Sequence, residues 1–153
     1  MLATLVVAVD QATKAAVLTS FSPGERLSLA PFFNLVLVYN KGAAFSFLAQ
    51  AAGWQKPLLV AFALGAAAIV SVLILRRPGE KLLGTGLAFI LGGALGNVID
   101  RLRFGQVVDF LDLHAAGYHW PAFNVADSAI TIGAMLLILE GFMHRERRAR
   151  VSP

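Results

Sequence analysis

The sequence predicts an α-helical integral membrane protein, and three observations carry that prediction. Four long apolar segments recur along the 153 residues. Charged residues make up only 14% of the chain against 58% hydrophobic, whereas an ordinary soluble domain is roughly a quarter charged. The arginines gather where apolar runs end, at Arg76-Arg77 and in the tail at Arg145, Arg147, Arg148 and Arg150, as the cytoplasmic flanks of membrane helices do. A formal charge of +4 placed in this way points to topology in a membrane, not to nucleic acid. The length suits one domain over residues 1–153. No cysteine is present, which excludes disulfides, zinc–thiolate sites and thiol nucleophiles.

A spanning helix needs about 20 apolar residues, and the segments meet this at residues 1–20, 57–75, 82–99 and 122–143. The first is interrupted by Asp10 and Lys14. Few residues precede Asp10, so Met1 is expected to fall inside the first helix. A cleaved signal peptide is not expected, because no basic stretch precedes the run and no small-x-small site follows it. The second run is uncharged, opened by Pro57 and stopped by Arg76-Arg77-Pro78-Gly79. The third carries Gly92-xxx-Gly96, a spacing that lets a neighbouring helix come close. The fourth has Asp127 near its start and Glu140 near its end.

Four spans put both termini on one side, which the arginines mark as cytoplasmic. The two longer connections then share the opposite face. In residues 21–56 the alternation from Asn34 to Tyr39 reads as short strands. Residues 101–121, with Asp109, Asp112, His114 and His119, read as a short interfacial helix or a loop.

The polar residues beside the apolar runs carry the chemistry. An ionisable group at a membrane segment is expensive and marks a functional site by default. Asp109 and Asp127 flank one short outer segment, which suggests a carboxylate pair. Two like charges at close range cannot both ionise, and a pair sharing one proton is the working part of an aspartic protease. In Val107-Val108-Asp109-Phe110-Leu111-Asp112 the spacing alone does not choose between the two acids. Asp10 and Lys14 stand four apart on one helix face, as a self-neutralising pair or as support for a site. Tyr39-Asn40-Lys41-Gly42-Ala43-Ala44-Phe45 reads as a tight turn with Gly42 at positive φ, or as a substrate-facing loop. Asn97 and Asp100 share a helix face, and the deeper amide of Asn97 needs partners. Asp100-Arg101 also suits a helix end at the interface.

Asn124 suits the cap of the fourth helix. Ser128 as a nucleophile would need Lys14 as its base. His114 and His119 read as interfacial histidines, since no His-Glu-x-x-His pattern accompanies them, and neither a metal nor a cofactor is expected. Trp54 and Trp120 read as interface anchors. Two other classes compete. A proton-coupled transporter needs polar residues continuing toward the cytoplasm, and the second span has none. A helix-docking subunit built on Asp–Arg pairs would tolerate Asp→Asn changes that a protease would not.

Taken in order, five stretches resemble the lipoprotein signal peptidases (signal peptidase II) of bacteria. They are Asp10-Gln11-x-x-Lys14, Asn40-x-Gly42-Ala43-Ala44-Phe45, Gly92-Gly93-Ala94-x-Gly96-Asn97-x-x-Asp100-Arg101, Val107-Val108-Asp109-Phe110 and Phe123-Asn124-x-Ala126-Asp127-Ser128. The likeness spans nearly the whole chain, and the chief departure is the short N-terminus. It implies an aspartic endopeptidase of the bacterial inner membrane, with a small periplasmic strand platform and the site toward the periplasmic face. The implied substrate is a prolipoprotein carrying diacylglycerol on its lipobox cysteine, cleaved just before that cysteine. The implied dyad is Asp109 and Asp127, which leaves Asp112 outside the motif. Asp10, Lys14, Asn40, Gly42, Asn97, Asp100, Arg101 and Asn124 fall on positions that support the site or touch substrate. The resemblance also implies inhibition by globomycin and contact with membrane lipid, and a monomer is expected.

Overall fold

A computed structural model describes residues 1–42 and 55–151, with side chains for 1–42 and 57–144. Ala43-Ala44-Phe45, Trp54 and the side chains of the arginine tail lie outside that range.

The chain forms α1 (Leu2–Ser20), β1 (Arg26–Ala30), β2 (Phe33–Asn40), α2 (Gln55–Arg76), α3 (Lys81–Phe104), β3 (Val107–Ala115), β4 (Tyr118–His119) and α4 (Val125–Val151). All four helices are long and apolar enough to cross a membrane. Their outward faces carry large apolar side chains such as Phe62, Ile69, Leu75, Ile138 and Phe142, a surface suited to lipid and unsuited to water.

Helical periodicity decides what α1 buries. Its inward stripe is Val6, Asp10, Lys14 and Val17, so the two charges that interrupt the apolar run face the protein. α3 is the central helix, and its glycines set the packing distance. A Cβ on Gly92 would stand 2.8 Å from the Ala3 carbonyl oxygen of α1. One on Gly93 would run into the Ala126 carbonyl of α4, and one on Gly133 of α4 would meet the Gly86 carbonyl at 2.5 Å. Small residues therefore let both neighbouring helices sit backbone-to-backbone on α3. The Gly92-xxx-Gly96 spacing does what the sequence suggested, with Gly93 adding the second contact face. α3 runs a turn beyond the expected end at residue 99. It stops at Gly105, whose left-handed φ of 77° lets its N–H reach the Arg101 carbonyl.

The four strands form one antiparallel sheet in the order β1-β2-β3-β4. Here the structure corrects the reading of residues 101–121 as a short helix or loop: after α3 they form β3 and β4. The β-branched Val107-Val108 pair favours a strand, and β2 offers it a long edge, with Asn34 opposite Asp112 and Val38 opposite Asp109. Ala116 and Gly117, at φ 50° and 82°, make the two-residue turn to β4 that positive φ at both positions allows. Val17, Leu37, Val108 and Phe110 form the buried cluster that fastens the sheet to the end of α1.

Candidate active site

β3 answers the question that spacing left open. Residues alternate faces along a strand, so Asp109 and Asp112, three apart, point to opposite sides. Asp109 turns toward the N-terminus of α4, while Asp112 turns to β1, β2 and β4.

Asp109 is 1% exposed. One carboxylate oxygen accepts from Asn124 Nδ2 at 2.7 Å and the other from Asn40 Nδ2 at 2.9 Å. Burial raises its pKa from the ordinary 3.8 to about 6, and the neighbouring charge of Asp127 adds to this against the opposing pull of the Asn40 and Asn124 amides. Asp127, half-buried, accepts from Asn97 Nδ2 at 2.8 Å.

Asn124 joins the two acids. It is fully buried. Its Oδ1 accepts the Asp127 backbone N–H at 2.9 Å, which is the N-cap bond expected of Asn before a helix. Its amide reaches Asp109, and also the Val108 carbonyl and Asn97 Oδ1 at 3.2 Å each. Capping α4 and holding Asp109 are thus one role, because the cap fixes which way the amide donates.

Asn40 is aimed in a similar way. Its Oδ1 accepts the Gly42 N–H at 2.8 Å, an Asx turn. That turn needs Gly42 at φ 99°, a left-handed value that glycine adopts without strain. The tight turn expected at Gly42 is therefore what aims Asn40 at Asp109.

Below the acids lies a buried charge cluster. Lys14, 2% exposed, uses its three N–H donors on Asp10 at 2.9 Å, Asp100 at 2.8 Å and Asn97 Oδ1 at 3.1 Å. Asp10 also accepts the Ala126 N–H at 2.9 Å, placing a negative charge at the N-terminus of α4 where the helix dipole favours it. Asp100 accepts the Val108 N–H at 3.1 Å. Gln11 donates to Asp100 at 2.9 Å and to Asp10 and the Gly96 carbonyl at 3.2 Å each. These contacts tie α1, α3, α4 and β3 together beneath the site. Arg101 donates to the Asn97 carbonyl at 3.3 Å, and its charge acts on Asp127, Asp109 and Asp100.

Asp10, Lys14, Asn40, Gly42, Asn97, Asp100, Arg101, Asp109, Asn124 and Asp127 thus join one connected network. Gln11 and the backbone N–H groups of Val108 and Ala126 complete it. The position of Gln11 inside Asp10-Gln11-x-x-Lys14 was the available signal for its part.

Asp112 lies elsewhere. It accepts from Asn34 at 2.8 Å, meets His119 Nδ1 at 2.8 Å and stands 3.7 Å from Arg26. Burial pushes its pKa upward, but the Asn34 and His119 hydrogen bonds outweigh that and hold it below the usual carboxylate range. His114 stacks on His119 with ring centroids 4.8 Å apart. Among the described residues no group of three or more histidines and acids is arranged to hold a metal. Ser128 donates to the Asn124 carbonyl at 2.9 Å, and Lys14 is saturated, so neither half of a serine–lysine pair is available.

A bundle of four candidate membrane helices with buried acids gathered at the sheet end is the architecture of a multi-pass membrane protein. The comparisons agree with this. Residues 2–143 match the family described as signal peptidase (SPase) II. The lipoprotein signal peptidase of Paraburkholderia phymatum is 55% identical over 148 residues, 97% of this chain and 89% of that one. That of Burkholderia mallei is 54% identical over 146 residues, 95% and 87% respectively. Two solved structures, each described as a bacterial membrane enzyme, superpose with TM-scores of 0.83 and 0.81. They are 31% and 32% identical, covering 95% and 91% of this chain and 88% of each of theirs. The chain belongs to the signal peptidase II family of bacterial multi-pass membrane proteases.

Proposed function

We propose that this protein is an aspartic endopeptidase that removes the signal peptide from diacylglyceryl-modified prolipoproteins, cleaving just before the lipid-modified cysteine. The whole chain is read as one peptidase domain, monomeric, with both termini cytoplasmic and the site toward the periplasmic face. The observation that carries the reading is the joint at Asn124, which holds Asp109 through its amide and the Asp127 backbone through its carbonyl.

Charge balance supports a shared proton. Lys14 is held by both Asp10 and Asp100, and the Arg101 charge acts first on Asp127 and then on Asp109, one positive charge beside two acids. One member of the pair is then protonated and the other ionised, and the proton belongs to the pair and not to either residue. The ionised carboxylate takes a proton from water as it attacks the scissile carbonyl. The protonated partner donates to the carbonyl oxygen as charge develops there. Collapse of the tetrahedral intermediate breaks the C–N bond, and the leaving amine takes up a proton from the dyad. Asn40, Asn97 and Asn124 hold the carboxylates without titrating. No metal or cofactor is invoked.

The test is incubation of purified protein in detergent with a prolipoprotein carrying S-diacylglyceryl cysteine, with the products weighed by mass spectrometry. The reading expects cleavage at the bond before that cysteine, inhibition by globomycin, and full activity in Ser128→Ala. Absence of cleavage by the wild type, or equal cleavage of the unlipidated precursor, would contradict it.

A further inference from the structure

Asp112 and its partners take no part in the dyad, yet they sit on the back of the strand that carries Asp109. Asp112 is 4% exposed. Both of its oxygens meet His119 Nδ1, at 2.8 and 3.1 Å, and one accepts from Asn34 Nδ2 at 2.8 Å. An ionised carboxylate only accepts, so Nδ1 is the nitrogen of His119 that carries a proton, whatever the charge of the ring. Hydrogen bonds to an ionised group are the stronger kind. This one joins β4 to β3 and, through Asn34, to β2.

β4 needs such a tie. It is two residues long, Tyr118–His119, opposite Ala115 and His114, and a short two-stranded hairpin is marginal on its own. Beyond it the Trp120 N–H reaches the Leu113 carbonyl at 2.8 Å. Pro121 follows and has no N–H to continue the ladder. The next bridge sets Phe123 opposite Leu111.

The residue that the hairpin carries gives the tie its consequence. Neighbours along an extended chain face opposite sides. With His119 turned to the Asp112 face, Trp120 turns to the face of Asp109. There it lines a cleft of about 450 Å³ together with Leu113, Phe123, Asp127 and Thr131. Trp120 is 64% exposed, so packing does little to hold the indole. The sequence suggests an interface anchor at Trp120, and its place in the cleft of Asp127 gives it a second use.

Resting on the function proposed above, we propose that His119 is a positioning residue for cleavage: its bond to Asp112 holds Trp120 as a wall of the cleft beside Asp127, against which the peptide at the scissile bond is set. An indole offers a peptide a large, rigid contact at little conformational cost. Small misplacements of a reacting group are expensive, so a loosened wall lowers the efficiency of cleavage. The acids themselves are untouched, so cleavage persists.

The test separates a wall that positions substrate from a bond that only stabilises the sheet. His119→Phe keeps a ring against His114, whose centroid lies 4.8 Å away, but loses the donor. His119→Asn restores the donor, because the Asn amide nitrogen stands as many bonds from the backbone as Nδ1. Trp120→Ala removes the wall. These variants and the double variant His119→Phe/Trp120→Ala are assayed in detergent on a diacylglyceryl prolipopeptide. A second set of the histidine variants carries Trp54→Phe, which leaves Trp120 as the single tryptophan of the chain, and is read by acrylamide quenching of its fluorescence.

The expected result is a fall on the order of tenfold in kcat/KM in His119→Phe and in Trp120→Ala, with recovery in His119→Asn. The double variant should fall no further than Trp120→Ala, because a residue acting through the indole then has nothing to act on. Quenching of Trp120 should rise in His119→Phe and return in His119→Asn. Wild-type kcat/KM in Trp120→Ala would overturn the proposal. So would losses that add in the double variant, the behaviour of a bond serving stability alone, or quenching that His119→Phe leaves unchanged. A wild type that cleaves nothing, with the quenching changes intact, would instead strike at the proposed peptidase activity.

Discussion

Replacing Lys14 by methionine removes the ammonium that pairs with Asp10 and Asp100 in the buried cluster and leaves much of the side-chain volume in place. In the wild type its ammonium lies 2.9 Å from Asp10 and 2.8 Å from Asp100, with the two acids 0% and 1% exposed. Without it, two carboxylates face each other with no neutralising partner. Breaking a buried pair in this way typically costs about 3–5 kcal/mol. At this chain length each kcal/mol lowers Tm by about 2–4 °C, so Lys14→Met should melt on the order of 10 °C below wild type in detergent. The double variant Lys14→Met/Asp100→Asn removes one charge of each sign and should recover a substantial part of that loss. The two sites share a contact, so their effects should not add. Cleavage should fall in the single variant as well, because Asn97 loses the donor at 3.1 Å that orients its amide toward Asp127. A Lys14→Met protein that melts with the wild type would refute the reasoning. So would a double variant no more stable than the sum of the two single effects.

Four further outcomes follow from the same geometry. Asp109 has a folded pKa of about 6 against an ordinary 3.8, so its contribution to stability is fully present below pH about 4. That contribution is lost as pH rises through about 6, and Asp109→Asn should flatten this part of the Tm–pH curve. Asn40→Ala removes a donor that favours the ionised form, so the acid limb of the kcat/KM profile should move to higher pH; a downward shift would contradict the arrangement. Gly93→Ala drives a methyl group into the Ala126 carbonyl, which has no flexible end to yield, and should destabilise by about 1–3 kcal/mol or more with loss of cleavage. Gly65→Ala, which meets nothing within 4 Å, is its neutral control. Asp112→Ala should lower stability by about 1–3 kcal/mol through the unpaired Asn34, yet retain cleavage.

The helices could be read from the sequence because a long apolar run has few other uses, and α2 needs almost no tertiary information to be recognised. β2 announced itself through the alternation from Asn34 to Tyr39, whereas β1 lay in the same connection without a comparable signal. β3 did not, because its acids fall three apart and break the period of two, and its partner β2 lies some 70 residues earlier in the chain. The same misreading obscured the choice of acid. On a helix Asp109 and Asp112 would share a face, but on a strand they part company. Among the supports, charged residues were easy to suspect. Gln11 was not, since an uncharged amide in an apolar helix shows its worth only when Asp100 and the Gly96 carbonyl are found beside it. Asn124 was readable as a cap. That its amide also holds Asp109 depends on β3 being a strand that arrives at the α4 N-terminus.

The central claim is that Asp109 and Asp127 act together on the scissile bond. Its most direct test is the initial cleavage rate of a diacylglyceryl prolipoprotein by Asp109→Asn and by Asp127→Asn, each shown by its melting curve to be folded. The account predicts that each loses cleavage while still melting cooperatively. Substantial cleavage by either folded variant would contradict it.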